Sequence, residues 1–309
     1  MNATTSTILP LTEAERFAFE TDGFLVRENF LSPDHVARLV DATHRAIARR
    51  RELIRTQQKE PAGFTHAKSE QSTRLFYLLD DDPLFLELLD WPAIMPYVHG
   101  LLSTMPHHCA SDAIVEHGGD FMNRQGEWHI DGHDNGFRNL GVPIPLLQLK
   151  VGYYLSDMTA PWQGNLAVVP GSHKSRLAPT EADRQRRDFF PGVRQVCAPA
   201  GTMILFHNAL WHTAAPYSGP DRGRTMLYYC YEHPWMVASQ EHWGYSKEFY
   251  NTRLSPARRK LFHGFVFDPP SLSLRHRNKV ERGLRPTPTF SSSRAWASPP
   301  SSGATHPRA

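Results

Sequence analysis

The sequence predicts a mainly β fold with flanking helices, in which a jelly-roll barrel is buttressed by N-terminal α-helices. From about residue 109 to residue 234, short apolar segments alternate with turns rich in Gly, Pro, Asp and Asn, a pattern typical of such barrels. Before residue 56, apolar residues recur at helical spacing instead. A chain of 309 residues is long enough for one domain of this size with a substantial core.

Helices are predicted before the barrel and a loop is predicted after them. The first helix covers Thr12 to Thr21, and the second runs from Ser32 to about Arg55. Ser32 is a favourable N-cap residue, and Pro33 suits the first helical position. Residues 56 to 74 are expected to form a loop. Two short helices should follow, around Pro83 to Leu89 and Pro92 to Leu102.

Five segments of the barrel region have the composition of buried strands, being short, apolar and rich in β-branched or aromatic residues. They are Ala113 to Val115, Leu146 to Leu155, Leu166 to Val169, Met203 to Phe206 and Thr225 to Tyr231. The charged stretch from Ser175 to Val196 is an insertion between strands. It could cover the barrel mouth as a lid, but a surface helix over Glu181 to Asp188 is the preferred interpretation.

Residues 1 to 282 are predicted to form a single domain. Pro256 to His263 could be one more helix. Residues 283 to 309 are rich in Pro, Ser, Thr and Arg and contain few core-forming residues. Such a composition cannot bury enough apolar surface to offset the entropy of ordering, so this tail is predicted to be disordered.

Charge and cysteine content exclude several classes of protein. The formal net charge is only +3, and the basic clusters lack a nucleic-acid-binding motif, so no nucleic-acid partner is expected. Cys109, Cys197 and Cys230 are too few and too scattered for a disulfide framework or a thiolate metal site, which favours a reducing compartment. Neither a secretory signal nor a membrane-spanning run is visible, and a cytoplasmic protein is expected.

A candidate metal site begins with His129, Ile130 and Asp131. In a strand, residues i and i+2 point to the same face, so His129 and Asp131 can reach one metal ion. A third ligand from another strand could be His212, which follows the apolar segment Met203 to Phe206. Two histidines and one carboxylate can hold Fe(II) on one face and leave positions for a bidentate co-substrate and O₂.

Arg224 stands at the start of the last predicted strand. Its guanidinium can pair with a carboxylate through two parallel hydrogen bonds, which suits a dicarboxylate co-substrate. Arg222 is the alternative for this role. It belongs to a predicted turn that begins at Ser218.

These features occur in a fixed order together with a turn motif, Asn165 to His173, that contains the sequence Pro-Gly-Ser-His. The ordered set resembles the phytanoyl-CoA dioxygenase (PhyH) family of Fe(II)/2-oxoglutarate-dependent oxygenases over roughly residues 15 to 235. The resemblance implies a double-stranded β-helix, with His129, Asp131 and His212 as iron ligands and Arg224 as the partner of the distal carboxylate of 2-oxoglutarate.

The chain departs from the family pattern at one position. The family arginine usually lies eleven residues after the second histidine ligand, where this chain has Gly223. Arg224 is preferred because it directly begins the strand, which would direct its side chain inward.

Further residues near the site have two interpretations each. Lys150 could point inward to a carboxylate of co-substrate or substrate, or it could face solvent. Tyr153 lies where the family often has a pocket-lining aromatic residue, although aromatic residues on strands usually belong to the core. Trp128 and Trp211 precede metal ligands and should pack behind the site. His207 and His173 are expected to be a supporting or surface residue and a turn residue, respectively.

The resemblance implies hydroxylation of an unactivated C–H bond of a small-molecule metabolite, with 2-oxoglutarate and O₂ converted to succinate and CO₂. Asp131 favours hydroxylation over halogenation, because halogenating relatives lack this carboxylate. Desaturation, epimerisation or cyclisation by the same oxidant remain alternatives. So do a non-catalytic small-molecule-binding barrel and a zinc hydrolase built on the same ligands. The sequence indicates neither the substrate nor the oligomeric state.

Overall fold

The computed structural model describes residues 11–56, 65–69, 72–117, 127–132, 137–186, 188–217, 223–236, 245–246 and 248–262. All of them belong to one compact unit, Met1–Val266. A second unit, Phe267–Ala309, lies outside the described residues, as does the tail that the sequence predicts to be disordered. The single-domain boundary at residue 282 therefore stays a prediction.

The described residues contain ten strands and six α-helices. The strands are β1 Phe24–Arg27, β2 Thr65–Ser69, β3 Ser72–Phe76, β4 His107–His117, β5 Gln148–Tyr154, β6 Leu166–Val168, β7 Arg194–Gln195, β8 Met203–His207, β9 His212–Ala214 and β10 Gly223–Glu232. The helices are α1 Glu13–Asp22, α2 Pro33–Arg55, α3 Pro83–Leu89, α4 Met95–Leu101, α5 Glu181–Arg184 and α6 Pro256–Arg259.

The strands form two antiparallel sheets. Seven strands pair in the order β1-β8-β5-β10-β4-β3-β2, and three pair in the order β7-β6-β9. One core cluster includes residues of both sheets, so the sheets face each other across it. Its buried members are Phe24, Tyr154, Met158, Leu166, Val168, Val196, Ala198, Ile204, Phe206, Leu210 and Met226. This arrangement confirms the predicted barrel architecture.

Helices cover the other face of the larger sheet. Tyr229 and Tyr231 of β10 are buried, and their hydroxyls donate to the carbonyls of Phe85 and Leu89 at 2.7 Å each. These carbonyls lie on α3, whose leucines are buried. The helix α3 therefore covers this face of the larger sheet, which leaves the inner face of the sheet for the site.

Helix boundaries largely follow the local signals that predict them. α2 begins at Pro33, and the Ser32 side chain accepts the N–H of His35 as an N-cap. α4 begins only at Met95, three residues later than the predicted start at Pro92. α5 is short and exposed, which agrees with a surface helix in the insertion.

The predicted loop from residue 56 to residue 74 is partly wrong. Within it, β2 and the start of β3 form strands, and β3 pairs with β4 from Ser72 opposite Glu116 to Phe76 opposite Asp112. The segment Ser-Thr-Arg-Leu-Phe lacks a clear apolar alternation, so local pattern alone gives no strand signal. Pairing with the long β4 provides its hydrogen-bond partners instead.

Two cysteines that are distant in sequence form a disulfide. Cys109 and Cys230 are 121 residues apart, yet their Cα atoms lie 5.2 Å apart because β4 and β10 are neighbouring strands. The register of these strands shifts beside Cys230, which places Cys109 in the irregularity. The sequence-based expectation, that the cysteines are too few and too scattered for a disulfide framework, did not include this single pair. The inferred reducing compartment loses that support, and the cytoplasmic location stays a prediction.

Among the described residues, no helix combines the length and the hydropathy needed to cross a membrane.

Candidate active site

The three predicted metal ligands lie together. His129 and His212 face each other across an isolated antiparallel bridge, and paired residues in such a bridge share one face. Asp131 follows two residues after His129, and its N–H donates to the carbonyl of Asn208 at 2.7 Å. One ligand atom from each of the three side chains lies within 4.8 Å of the others. The i, i+2 spacing and the third ligand from another strand thus produce the predicted cluster.

Backbone hydrogen bonds fix the tautomer of both histidines. Nδ1 of His129 lies 2.8 Å from the carbonyl oxygen of Glu127, and Nδ1 of His212 lies 2.9 Å from that of Leu210. A carbonyl oxygen can only accept, so each Nδ1 carries the proton and each Nε2 keeps its lone pair. Both Nε2 atoms approach Asp131, at 4.0 Å for His129 and 3.7 Å for His212. The donor set therefore fits a divalent metal such as Fe(II).

Electrostatics keep these ligands in the state that binds a metal. Burial lowers the pKa of His212 to about 4, so its ring is neutral near pH 7. Burial alone would raise the pKa of Asp131, but nearby cationic side chains, above all Lys150, outweigh this effect and lower it. The carboxylate is consequently charged at neutral pH.

The ligands line a cavity of about 140 Å³ between the two sheets. Its wall combines the metal ligands, several charged side chains and a few apolar ones. The lining residues are Arg74, Asp112, Ile114, His129, Asp131, Lys150, Leu166, Phe206, His212, Thr213, Ala214, Arg224 and Tyr228.

Lys150 and Tyr153 point to opposite faces of β5. Lys150 lines the cavity, and its Nζ lies 3.8 Å from Oδ2 of Asp131. Of the two interpretations from the sequence, the structure therefore agrees with the one in which Lys150 points inward. Tyr153, three residues later, is fully buried on the helix-covered face beside Phe30 and Tyr229. The structure therefore places Tyr153 in the core and not at the cavity, against the sequence prediction. The two-residue period of a strand is the reason.

Arg224 also lines the cavity. It is the second residue of β10, and its side chain is 9% exposed. At the preceding position, a Cβ on Gly223 would collide with the carbonyl oxygen of Glu116, so no side chain fits there without a backbone shift. This close approach gives a physical reason why position 223, where the family usually has its arginine, is a glycine in this chain. Arg222 lies outside the described residues.

Sequence reasoning missed several charged or polar residues of the cavity. Arg74 of β3 and Asp112 of β4 form an ion pair, and Tyr228 of β10 lies directly opposite Gly152 of β5. Asp112 in the middle of a largely buried strand is the one signal that could have been noticed. The position of Arg74 could not be inferred, because β3 itself was not predicted.

Aromatic residues pack behind the ligands. Trp128 is buried against Phe189 and Phe190, with ring centroids 5.5 and 5.2 Å away. Trp211 is buried as well, and the guanidinium of Arg138 lies over its ring in a cation–π contact. Both tryptophans thus occupy the supporting positions predicted for them. The end of the insertion, at Phe189, contributes to this packing.

The Pro-Gly-Ser-His turn connects α1 to the strand of the second histidine ligand. The N–H of Gly171 donates to the carbonyl of Asp22, and Nε2 of His173 lies 3.1 Å from the carbonyl oxygen of Glu20. Ser172 Oγ accepts the N–H of Trp211 at 2.8 Å, one residue before His212. His173 is therefore a turn residue, as predicted.

His207 supports the site from outside the ligand cluster. Its ring is buried against the ring of His173, with centroids 4.8 Å apart, and its Nδ1 accepts the N–H of Ala209. His207 is not part of the described three-residue metal cluster. The supporting role predicted from the sequence agrees with this position.

Fold and site together define a class of protein: a mononuclear metal oxygenase with two histidines and one carboxylate in a double-stranded β-helix. The chain belongs to the phytanoyl-CoA dioxygenase (PhyH) family, whose model matches residues 19–226. It is accordingly a 2-oxoglutarate-dependent oxygenase, and its cofactors are Fe(II), 2-oxoglutarate and O₂. The family predicted from the sequence, its fold and its cofactors are confirmed. A zinc hydrolase and a non-catalytic barrel are not supported.

Solved structures share this fold at low sequence identity. HygX from Streptomyces hygroscopicus, with nickel, 2-oxoglutarate and hygromycin B bound, is 20% identical, with a TM-score of 0.56 over 73% of this chain and 89% of that chain. EctD from S. alaskensis in its apo form is 22% identical, with a TM-score of 0.57 over 75% and 80%. The epimerase SnoN from nogalamycin biosynthesis is 17% identical, with a TM-score of 0.50 over 72% and 83%. A comparison with curated protein sequences gives no significant match.

Proposed function

We propose that the chain hydroxylates an unactivated C–H bond of a small-molecule metabolite, with conversion of 2-oxoglutarate and O₂ to succinate and CO₂. The observation that carries this proposal is the cluster of His129, Asp131 and His212 in the wall of a cavity. Fe(II) held there supplies the O₂-dependent oxidation, since three protein ligands leave positions for co-substrate and O₂. The chain supplies the ligands, the co-substrate contacts and the shape of the cavity.

Arg224 and Lys150 are the proposed co-substrate contacts. The guanidinium of Arg224 would bind the distal carboxylate of 2-oxoglutarate, because its planar N–H groups match a carboxylate. Lys150 is close to the metal ligands, with its Nζ 3.8 Å from Asp131 Oδ2, and its ammonium can pair with a second carboxylate. These two positive charges can balance the two negative charges of 2-oxoglutarate in a largely buried cavity.

Asp131 supports hydroxylation as the outcome. Its carboxylate occupies the third ligand position, where a small residue would be needed to admit chloride for halogenation. The backbone of Asp131 is held by the carbonyl of Asn208, and Lys150 lies beside its side chain. The carboxylate is therefore a fixed part of the site.

The cavity wall favours a small polar substrate. Arg74, Asp112 and Tyr228 bring a cation, an anion and a phenol to the cavity in addition to the co-substrate contacts. A wall of this kind can hydrogen-bond hydroxyl, amine or carboxylate groups, and it would be poorly matched to a long alkyl chain. The bound hygromycin B in HygX agrees with a small-molecule substrate for this fold.

The proposal is tested by measuring succinate and O₂ uptake. Protein loaded anaerobically with Fe(II) is mixed with 2-oxoglutarate and oxygenated buffer, for wild type, Asp131→Ala and the control Asp90→Asn, which removes a carboxylate paired with Arg258 elsewhere. Wild type and control should form succinate, faster with a substrate of the polar class, and Asp131→Ala should not. Absence of Fe(II)-dependent succinate in wild type, even with a wide metabolite panel, would contradict an oxygenase.

The type of oxidation is decided by the product formed under ¹⁸O₂. Hydroxylation predicts a product that gains one oxygen atom carrying the label. A product that loses two hydrogens would indicate desaturation or cyclisation, and an isomer of unchanged mass would indicate epimerisation. Either of the last two results would overturn hydroxylation while leaving the cofactor assignment intact.

A further inference from the structure

Two groups behind Arg224 hold its guanidinium. Nε donates to Oε2 of Glu116 at 2.5 Å, and Nη1 donates to the carbonyl oxygen of Gly164 at 2.6 Å. Both charged side chains are nearly buried, with 9% of Arg224 and 13% of Glu116 exposed. A buried cation needs such partners, because desolvation without them is costly.

The fold fixes the position of each partner. Glu116 of β4 lies directly opposite Arg224 of β10 in the strand register, so the ladder determines the distance between them. Gly164 has a positive φ of 76°, and a Cβ there would lie 2.8 Å from Cδ of Arg224. The aliphatic part of the Arg224 side chain therefore packs directly against Gly164, and a side chain at position 164 would occupy the same space.

The remaining hydrogen-bonding capacity of Arg224 points to its role. A guanidinium has five N–H groups, of which two donate to Glu116 and Gly164 in the described part of the chain. The other three lie on Nη1 and Nη2, at the end of the side chain, where they form a fork for a carboxylate. Arg224 lines the cavity, whereas Glu116 is not among the residues that line it.

We propose that Glu116 is a positioning residue for the co-substrate, which sets the orientation in which Arg224 presents its terminal N–H groups to the distal carboxylate of 2-oxoglutarate. This inference rests on the proposed role of Arg224. Glu116 shares the arginine with the co-substrate and does not compete for it, since it binds Nε and leaves the terminal fork open. For the binding of 2-oxoglutarate, the length of the Glu116 side chain and its acceptor oxygen matter more than its negative charge.

Two substitutions separate geometry from charge. Glu116→Gln keeps the side-chain length and an acceptor oxygen but removes the charge. Glu116→Asp keeps the charge but is one methylene shorter, so its carboxylate cannot reach Nε unless Arg224 moves. We expect near wild-type affinity for 2-oxoglutarate in Glu116→Gln. In Glu116→Asp we expect affinity to fall by roughly 10-fold or more, by analogy with the loss of groups that orient metal-binding side chains.

The measurement is an anaerobic titration of Fe(II)-loaded full-length protein, followed by the visible charge-transfer absorption of the chelate. 2-Oxoglutarate is compared with 2-oxobutanoate, which chelates through the same oxo-acid group but has no distal carboxylate. Only 2-oxoglutarate binding should weaken in Glu116→Asp. The control Asp90→Asn should bind both acids like wild type, and circular dichroism verifies that every variant is folded.

The outcomes distinguish this inference from the function on which it rests. Equal affinity of wild type and Glu116→Asp for 2-oxoglutarate would overturn the positioning role while leaving the function intact. Weaker binding in Glu116→Gln than in Glu116→Asp would show that charge dominates, and equal loss for both oxo acids would show a general structural effect; each contradicts the inference. A wild-type protein that binds Fe(II) but neither acid would overturn the proposed function itself.

Discussion

His129 and His212 exchange both of their backbone hydrogen bonds, at 3.0 Å each, so these two candidate histidine ligands are fixed to each other by the main chain. The side chains of such a pair project from the same face. Their Nδ1 atoms are in turn held by the carbonyls of Glu127 and Leu210. The geometry of the metal site is therefore set by the fold before any ion binds, which reduces the reorganisation needed for binding.

Removal of one proposed histidine ligand should weaken iron binding strongly. His129→Ala leaves one imidazole and one carboxylate, so we expect a loss of Fe(II) affinity beyond the roughly 10–100-fold typical of losing a supporting hydrogen bond. Metal content after anaerobic equilibrium dialysis measures this. The control is His99→Ala, an exposed histidine on α4. Equal iron content in His129→Ala and wild type would exclude His129 as a ligand.

Adjacent tyrosines should respond differently to loss of the hydroxyl. Tyr153 and Tyr154 are both fully buried, but the Tyr153 hydroxyl has no described partner. The Tyr154 hydroxyl donates to the carbonyl of Val196 and accepts the N–H of Leu166. We expect Tyr154→Phe to lower the free energy of unfolding by about 1–3 kcal/mol, because it leaves buried polar groups unpaired. Tyr153→Phe should leave it unchanged or higher.

The same pair tests the placement of Tyr153 outside the cavity. Tyr153→Phe should bind 2-oxoglutarate with wild-type affinity. Urea denaturation gives the free energies of unfolding, and the anaerobic titration gives the affinities. Weaker co-substrate binding in folded Tyr153→Phe would restore the contact that the sequence suggests and contradict the structure.

Asn208 should be important for stability although it is not a ligand. Its Oδ1 accepts the N–H groups of Leu147 and Gln148, and its carbonyl accepts the N–H of Asp131. Asn208→Ala leaves two buried N–H groups unpaired, so we expect the free energy of unfolding to fall by about 2–4 kcal/mol in urea denaturation. Asn139→Ala, at an exposed position, is the control. A loss no larger than that of the control would refute this account of Asn208.

His207 should make the metal-free protein less stable in acid. Burial beside His173 lowers the pKa of His207 to about 3, whereas an unfolded histidine titrates near about 6.5. The unfolded state therefore binds the proton first as pH falls. Protonation stabilises the unfolded state, and this lowers the free energy of unfolding by up to about 1.4 kcal/mol per pH unit between the folded and the unfolded pKa of His207.

The comparison with His207→Asn isolates this contribution. The amide oxygen of asparagine can replace Nδ1 as acceptor for the N–H of Ala209 but does not titrate. We expect a shallower decrease of unfolding free energy between pH 6.5 and pH 5 in the variant, measured by urea denaturation in the presence of a chelator. Parallel pH profiles for both proteins would show that His207 does not carry the effect.

Local spacing explains what the sequence could predict. The ligands His129 and Asp131 follow from strand periodicity, and the core strands from short apolar runs. Lys150 and Tyr153 are three residues apart on one strand, so their side chains project to opposite faces. If Lys150 points into the barrel, Tyr153 cannot.

Non-local register explains what the sequence could not predict. The pairing of Glu116 with Arg224 and the disulfide between Cys109 and Cys230 both depend on β4 lying beside β10. Arg74 reaches the cavity only because β3 pairs with β4. No local pattern in one sequence contains these neighbour relations, which are set by the packing of the whole sheet.

The most direct test of the central claim is an anaerobic titration of the metal-free protein, first with Fe(II) and then with 2-oxoglutarate. We expect one Fe(II) per chain and a visible charge-transfer absorption on adding 2-oxoglutarate. This absorption should be absent in His129→Ala and require much more 2-oxoglutarate in Arg224→Ala. Folded wild-type protein that binds Fe(II) but develops no such absorption at any 2-oxoglutarate concentration would contradict the central claim.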